Sequence, residues 1–299
     1  MRCPFGRLGI LAAVVYFFFV YSPVRLSLPV VYLRTPASAF GTAAFAAAQV
    51  SEGHSHNDYL QTTPLFDALA NRFYSVEADV WRRDGELKLS HLGIEFVGGL
   101  RELYLEPLQH LVNRLGSVYG DGKRFILWIE LKENDPLLVQ DLQKMLSRYP
   151  MLTRFNDRTV IPGPVTVVLT GVDSAKRAYV SLFSDRYACR DSQDFSYRDP
   201  PLDNRWCWYT LSWADYFSWD GNGVMPKDQL RDLRRVVAAV HATGKKLRIY
   251  DAPDTPAIWQ SEYDAGVDLI GTDSVQKFGS WHDLQPGVVT VRADRRSPF

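Results

Sequence analysis

The sequence predicts a single α/β domain built as a (β/α)8 barrel, a TIM-type fold, preceded by an N-terminal signal or anchor segment. From residue 50 onward, short apolar runs alternate with helical patterns. The short runs are apolar nearly throughout, which is typical of parallel strands covered by helices. The remaining length, about 250 residues, is that of one such barrel. We assign residues 1–49 to the leader with its Ala-rich linker and residues 50–299 to the barrel.

The leader has the features of a secretory signal or signal anchor. Arg2 and Arg7 precede an apolar run over residues 8–21, which is shorter than the ~20 residues that a spanning helix needs. The Ala-rich residues 37–48 offer small-residue cleavage sites. We therefore expect a secretory-pathway protein, secreted or anchored to a membrane through this segment, rather than a mitochondrial one.

The elements of the barrel follow in order along the chain. Strands are predicted at residues 49–54, 74–80, 125–130, 165–170, 208–212, 246–250 and 269–272. Helices are predicted at residues 64–70, 104–115, 136–148, 227–243 and 256–265. The fourth helix is delimited by Pro226 before it and Gly244 after it. Residues 180–205 are polar, aromatic and irregular, so no strand is placed there.

The composition excludes several classes of protein. Lys and Arg number 34 against 34 Asp and Glu, so there is no basic excess of the kind that a nucleic-acid binder uses. A content of 46% hydrophobic residues can form a core, which argues against disorder. With one short apolar segment near the start, the chain is not a polytopic membrane protein. We expect a monomer.

The cysteines leave a disulfide open. Cys3 lies in the leader, and Cys189 and Cys207 remain for the folded domain. An even number in a secretory context permits one bridge. The sequence does not show whether their Cα atoms approach closely enough to form it.

Acidic side chains stand where predicted strands end. Glu77 and Asp79 are two residues apart, so their side chains leave the strand on the same face. Glu130 ends the next strand. Carboxylates in an otherwise apolar strand are costly unless they have partners. Three carboxylates at the carboxyl ends of barrel strands form a set of hard oxygen ligands that suits one Mg²⁺ or Ca²⁺ better than zinc.

Histidines accompany these acids. His54 and His56 follow the first strand, and His91 follows the turn at Asp84 and Gly85. Two histidines beside a divalent cation are able to attack and protonate a phosphodiester. Lys132, two residues beyond Glu130, would pair with Glu130 or Asp79.

The order of these motifs resembles the phosphodiesterases of the phospholipase-C-like barrel superfamily, which include glycerophosphodiester phosphodiesterases and venom-type phospholipase D. The loop Gly-His-Ser-His-Asn-Asp-Tyr at residues 53–59, with residues 64–69 behind it, most resembles the fungal altered-inheritance-of-mitochondria protein 6 group. Residues 265–273 resemble the last barrel strand of the superfamily. The likeness extends from about residue 51 to residue 273.

The resemblance implies a divalent-cation-dependent phosphoric diester hydrolase of lipid metabolism. Its substrate would be a glycerophosphodiester or a (lyso)phospholipid headgroup. His54 and His91 would be catalytic, one attacking phosphorus or acting as base while the other protonates the leaving oxygen. The metal ligands would be Glu77, Asp79 and Glu130, and the phosphate-contacting lysine would be Lys132.

Two departures from the family pattern matter. The diesterases have His-Arg-Gly where this chain has His54-Ser55-His56, so the loop lacks the arginine that would hold phosphate. Their Pro-Glu-Asn-Thr element is replaced by residues 61–64. The division of roles between His54 and His56 therefore stays open. Besides Lys132, the predicted substrate-contacting residues are His56, Asn57, Ser212, Trp213 and Asp273.

Two alternatives remain. A zinc amidohydrolase would use His54 and His56, but that chemistry normally needs further histidines near the fifth and sixth strands, whereas His110 and His241 fall in helical patterns. A barrel of low or no activity would bind lipid headgroups or a protein partner. The aromatic stretch at residues 208–219 would then line a substrate mouth, meet a membrane, or pack within a loop.

Overall fold

The computed structural model describes residues 50–195 and 204–285. The predicted leader, residues 1–49, lies outside the described residues, as do residues 286–299 at the end of the predicted barrel. No helix in the described part of the chain has the length and apolar character needed to cross a membrane.

The described residues form twelve strands and eight α-helices. The strands are β1 (Val50–Ser55), β2 (Phe73–Arg83), β3 (Glu86–Leu89), β4 (Gly98–Gly99), β5 (Phe125–Leu131), β6 (Arg154–Phe155), β7 (Val160–Ile161), β8 (Val165–Gly171), β9 (Ala188–Ser192), β10 (Trp206–Ser212), β11 (Lys246–Tyr250) and β12 (Leu269–Thr272). The helices are α1 (Phe66–Ala70), α2 (Glu106–Leu115), α3 (Pro136–Leu146), α4 (Asp173–Leu182), α5 (Trp213–Tyr216), α6 (Lys227–Ala242), α7 (Pro256–Ala265) and α8 (Val275–His282).

Eight parallel strands close into a barrel. The order is β1, β2, β5, β8, β9, β10, β11, β12, and β12 returns to pair with β1. The short strands β3 and β4 extend β2 as an antiparallel hairpin at the edge of the barrel. Closure leaves no free edge among the eight strands, and it brings the carboxyl ends of all of them around one opening. The predicted TIM-type barrel is confirmed in these residues as a closed barrel of eight parallel strands.

The register sets which side chains meet inside the barrel. Asp79 lies opposite Glu130 in the pairing of β2 with β5, and Glu130 lies opposite Thr170 in the pairing of β5 with β8. His54 lies opposite Ser75. Because side chains alternate along a strand, Glu77 shares the interior face with Asp79, one layer deeper.

The seven predicted strands coincide with seven of the barrel strands to within a few residues, and the eighth is β9, in the segment where no strand was placed. This strand reads Ala-Cys-Arg-Asp-Ser, yet all five residues are buried. Its Asp191 accepts hydrogen bonds from Thr170 and Thr210 and pairs with Lys176 at 2.5 Å. β9 is therefore buried without being apolar, because its polar side chains have partners on other elements. Helices α4, α5 and α8 were also not predicted.

A packed apolar layer fills the barrel beneath the polar end. It is separate from the larger core between sheet and helices and consists of Trp128, Phe155, Val168, Cys189, Trp208 and Leu269. The rings of Trp128 and Trp208 meet edge to face at 5.6 Å. In the same interior, Cys189 and Cys207 are joined by a disulfide across β9 and β10 with Cα atoms 6.0 Å apart. The structure thus forms the bridge that the sequence left open.

Candidate active site

The candidate active site lies at the carboxyl end of the barrel, where three carboxylates converge. Glu77, Asp79 and Glu130 each place an oxygen so that all three oxygens lie within 4.8 Å of one another. Glu77 and Asp79 are buried, while Glu130 is partly exposed. The three predicted metal ligands are therefore brought together by two adjacent strands.

Asp79 is the best-buried member of this cluster. Its Oδ2 accepts a 2.9 Å hydrogen bond from the Tyr59 hydroxyl and lies 3.2 Å from both Lys132 Nζ and His91 Nδ1. Its Oδ1 is buried and has no hydrogen-bond partner among the described residues. A buried carboxylate oxygen without a partner is costly. An oxygen-preferring divalent cation would satisfy it, so the cluster fits Mg²⁺ or Ca²⁺.

Glu130 carries the electrostatic cost of this crowding. Burial, together with the charges of Glu77 and Asp79, raises the pKa of Glu130 to about 7, although Lys132 pairs with it at 3.0 Å and opposes the shift. Like charges held close together disfavour ionisation. A cation among the three acids would relieve that repulsion.

Glu77 is kept ionised by a buried arginine. Burial by itself would raise its pKa, but the charge of Arg248 and a hydrogen bond from His54 hold the pKa of Glu77 well below its ordinary value. Arg248 reaches across the barrel from β11 and donates to Glu77 Oε2 at 2.7 Å. Its guanidinium also lies 4.7 Å from the centre of the Trp128 ring. The predicted site did not include Arg248.

His54 lies beneath this layer and has no exposed surface. Its Nδ1 is 2.8 Å from Ser75 Oγ, and its Nε2 is 3.3 Å from Glu77 Oε2. Burial and the nearby charge of Arg248 lower the pKa of His54 to about 3, so the ring is neutral at physiological pH. With both nitrogens engaged, His54 orients Glu77 from below.

His56 lies one layer higher, at the opening. Its Nδ1 is 2.9 Å from Asp273 Oδ1, and its Nε2 is 3.7 Å from Glu77 Oε2, beyond hydrogen-bond distance. Burial opposes protonation, but the hydrogen bond to Asp273 and the charge of Glu77 raise the pKa of His56 above its ordinary value. Asn57, with a positive φ of 46°, places its Nδ2 3.2 Å from the same ring.

His91 approaches the carboxylates from the other side, at the end of the hairpin. Its Nδ1 lies 3.2 Å from Asp79 Oδ2. More than half of its side chain is exposed, and its Nε2 has no partner among the described residues. His56 and His91 thus share one arrangement, in which Nδ1 meets a carboxylate and Nε2 makes no hydrogen bond among the described residues.

A buried carboxylate organises the loop that carries His54 and His56. Asp58 accepts hydrogen bonds from the Ser55 hydroxyl at 2.7 Å, the Tyr104 hydroxyl at 2.8 Å and the backbone amide of Leu65 at 2.5 Å. Burial raises the pKa of Asp58 to about 6 in spite of these bonds. This network ties the loop to the segment before α2 and so determines where the two histidines lie.

Two of the predicted substrate contacts are buried and are not among the residues that line the cleft. Trp213 is buried in a core cluster, and its indole donates to the Trp219 carbonyl at 3.0 Å. Ser212 is buried, with its hydroxyl 3.4 Å from Asp251. In the aromatic stretch, the ring of Trp213 also packs on Phe217 at 4.6 Å. The structure therefore buries Trp213 among aromatic side chains at the start of α5, and Trp213 is not among the residues that line the cleft.

A small cleft opens above the carboxylates. Its walls include His56, Glu77, Glu130, Arg248 and Tyr250, and its volume is about 80 Å³. In the cluster as a whole, three carboxylates stand against the two cations Arg248 and Lys132, which leaves one excess negative charge when the histidines are neutral. A divalent cation would reverse that sign and make the cleft attractive to a phosphodiester anion.

Fold and site together define a (β/α)8 barrel protein with a carboxylate cluster at the carboxyl ends of its strands. Residues 44–186 match the family described as the AIM6-like phosphodiesterase domain. This confirms the likeness to the altered-inheritance-of-mitochondria protein 6 group.

Three relatives named altered inheritance of mitochondria protein 6, or a homolog of it, are similar to this chain. The chain is 27% identical to altered inheritance of mitochondria protein 6 of Lachancea thermotolerans, over 76% of this chain and 65% of the relative. It is 27% identical to that of Saccharomyces cerevisiae, over 74% and 68%. It is 26% identical to a homolog from Arthroderma benhamiae, over 74% and 81%. The chain thus spans about two thirds of the length of the first two.

Comparison with solved structures adds no functional argument. The EAL domain of Mycobacterium smegmatis DcpA aligns with 61% of this chain and 79% of its own, at 15% sequence identity and a TM-score of 0.34.

Proposed function

We propose that this protein is a divalent-cation-dependent phosphoric diester hydrolase that acts on a glycerophosphodiester or a (lyso)phospholipid headgroup. The observation that carries the proposal is the cluster of Glu77, Asp79 and Glu130, in which the buried Asp79 Oδ1 has no hydrogen-bond partner among the described residues. The match to a phosphodiesterase domain covers all three residues. Mg²⁺ or Ca²⁺, when bound by these oxygens, supplies positive charge against the phosphoryl oxygens.

His56 and His91 divide the proton transfers in this proposal. Each ring is oriented by a carboxylate at Nδ1, Asp273 for His56 and Asp79 for His91, and neither Nε2 makes a hydrogen bond among the described residues. One accepts the proton of the attacking water or attacks phosphorus itself, and the other gives a proton to the leaving alcohol oxygen. His54 acts as a positioning residue, because its buried ring cannot reach a substrate in the cleft.

The two cationic side chains of the site have different roles. Lys132 bridges Asp79 and Glu130 and is partly exposed, so its ammonium is placed to hold a phosphoryl oxygen. Arg248 is 2% exposed and engaged with Glu77, so it maintains the ionised state of that ligand. A guanidinium from β11 thus lies beside the histidine loop that lacks the family's arginine.

The ligand chemistry favours this reading over a zinc amidohydrolase. The potential metal cluster found among the described residues consists of three carboxylates and includes neither His54 nor His56. Hard oxygen ligands of this kind suit Mg²⁺ or Ca²⁺, whereas catalytic zinc sites are rich in histidine.

The test is turnover by the purified full chain on glycerophosphocholine and lysophosphatidylcholine, followed by ³¹P NMR. We expect turnover with Mg²⁺ or Ca²⁺, loss of it in EDTA, and recovery when the cation is restored. The phosphorus signal also distinguishes a monoester product of hydrolysis from a cyclic phosphate. Turnover that persists in EDTA, or no turnover of any diester with either cation, would contradict the proposal.

A further inference from the structure

A patch of exposed aliphatic side chains adjoins the candidate active site. Leu60, Leu92, Ile94 and Val97 are four of the eleven large apolar side chains that are exposed among the described residues. Leu92 and Ile94 are 70% and 78% exposed. Isolated exposed apolar residues are ordinary, but a contiguous group beside a site indicates binding.

These side chains line a groove of about 400 Å³. The groove reaches the carboxylate cluster through two of its own walls, Tyr59 and His91, both of which contact Asp79 Oδ2. Leu60 follows Tyr59 directly in the chain, and Leu92 follows His91. The two residues that contact the candidate metal ligand Asp79 are therefore each followed in the chain by a member of the aliphatic patch.

The loop that carries Leu92 and Ile94 is fixed by hydrogen bonds. The Trp81 indole donates to the Ser90 carbonyl at 2.8 Å, and the Gly93 amide donates to the Ser90 hydroxyl at 2.9 Å. Gly93 has φ +74°, and a Cβ there would lie 3.0 Å from the Trp81 ring. The exposure of Leu92 and Ile94 is thus imposed by an ordered turn.

We propose that this groove binds one hydrocarbon chain of an amphiphilic phosphodiester whose phosphate lies at the carboxylate cluster. The inference rests on the proposed function, since it places the phosphate there. Glu95 is the one acidic residue in the lining, and no lysine or arginine is among the lining residues, so the groove offers an anion no cationic partner of that kind. The groove would therefore bind a ligand mainly through apolar contact.

The experiment measures how affinity depends on chain length in the full-length protein. Octyl-, decyl- and dodecylphosphocholine, below their micelle-forming concentrations, and chainless glycerophosphocholine are titrated by calorimetry in EDTA and in Mg²⁺. Each methylene that enters the groove should tighten binding by up to about fourfold. In Leu92→Gln/Ile94→Gln we expect dodecylphosphocholine to bind at least about tenfold more weakly, with a flattened chain-length dependence.

The matched control is Leu137→Gln/Leu182→Gln, two exposed leucines on α3 and α4 that lie outside the groove lining. It should keep the wild-type chain-length dependence. An unchanged dependence in Leu92→Gln/Ile94→Gln would overturn the proposal. So would binding to phosphatidylcholine vesicles without binding of single chains, or self-association that this variant abolishes.

The two proposals fail separately. Chain-length-dependent binding without turnover of any diester would support the groove and contradict the hydrolase. Turnover with binding that does not depend on chain length would leave the hydrolase in place and overturn the groove.

Discussion

Arg248 and Glu77 form an ion pair inside the barrel, with Arg248 Nη2 2.7 Å from Glu77 Oε2 and both side chains almost fully buried. The two residues are 171 positions apart in the chain, and closure of the barrel brings them together. The pair makes a carboxylate stable as an anion in a place where burial would otherwise favour its neutral form.

Replacing Arg248 should therefore be costly. Arg248→Met leaves Glu77 as a buried carboxylate without its cation, and removal of one partner of such a pair destabilises a protein by about 3–5 kcal/mol. Urea unfolding at neutral pH measures the loss. Arg248→Met/Glu77→Gln should recover part of it, because the second substitution removes the unpaired charge. A loss that is equal in the single and double variants would contradict the pairing.

His54 and His56 should separate stability from activity. His56→Gln should lower kcat by about 10²–10⁴-fold, as expected for loss of a general acid or base, with little change in melting temperature. His54→Gln should lower the free energy of unfolding by about 1–3 kcal/mol, because it disturbs a buried hydrogen-bonded group. Steady-state kinetics and thermal unfolding of both variants give the comparison. Full activity in His56→Gln would remove that residue from the mechanism.

The carboxylate cluster should make stability depend on the cation. A ligand that binds only the folded state at a hundred times its Kd adds about 2.7 kcal/mol to the free energy of unfolding. Asp79→Asn and Glu130→Gln should each abolish the rise in melting temperature with Mg²⁺ or Ca²⁺. Asp185→Asn, an exposed acid paired with Arg154, is the matched control and should keep it. An equal rise in all variants would show that the cation binds elsewhere.

Glu262 should make stability depend on pH. It is fully buried on α7, neither carboxyl oxygen has a hydrogen-bond partner among the described residues, and burial raises its pKa well above the ordinary 4.5. The folded state holds this proton after the unfolded state has lost it, so its contribution to stability falls as pH rises above about 4.5. Glu262→Leu should raise the free energy of unfolding at neutral pH by about 1–3 kcal/mol.

Unfolding of Glu262→Leu and Glu262→Gln across the pH range tests this assignment. Both substitutions remove the titration, so both should flatten the decline above about pH 4.5 relative to wild type. A wild-type slope retained in both variants would mean that other groups cause it.

The disulfide should contribute to stability through the unfolded chain. The two cysteines are 18 residues apart, and closing a loop of that size is worth about 3 kcal/mol in the chain-entropy account. Cys189→Ala/Cys207→Ala should lose about that amount in urea unfolding. Wild type unfolded in a reductant should behave like the variant. Peptide mapping that finds both thiols free in the native protein would contradict the bridge.

Most barrel elements were predictable because their signals are local. Apolar runs mark β5, β8 and β12, and Pro226 and Gly244 lie on either side of α6. β9 was not predictable, because its buried Asp191 is paired by Lys176 from α4 and by threonines of neighbouring strands. Its burial is a property of contacts that the local sequence does not show.

The sequence by itself determined that Glu77 and Asp79 share a strand face and that Glu130 ends the next strand, since side-chain alternation depends on spacing alone. Only the tertiary structure decided that His54 lies beneath the cluster and His56 at its opening, that Arg248 pairs with Glu77, and that Trp213 is buried and does not line the cleft. The physical reason is closure. How deep a side chain lies inside the barrel, and which side chain it meets across the barrel, depend on strand register. That register is set jointly by residues that are far apart in the chain.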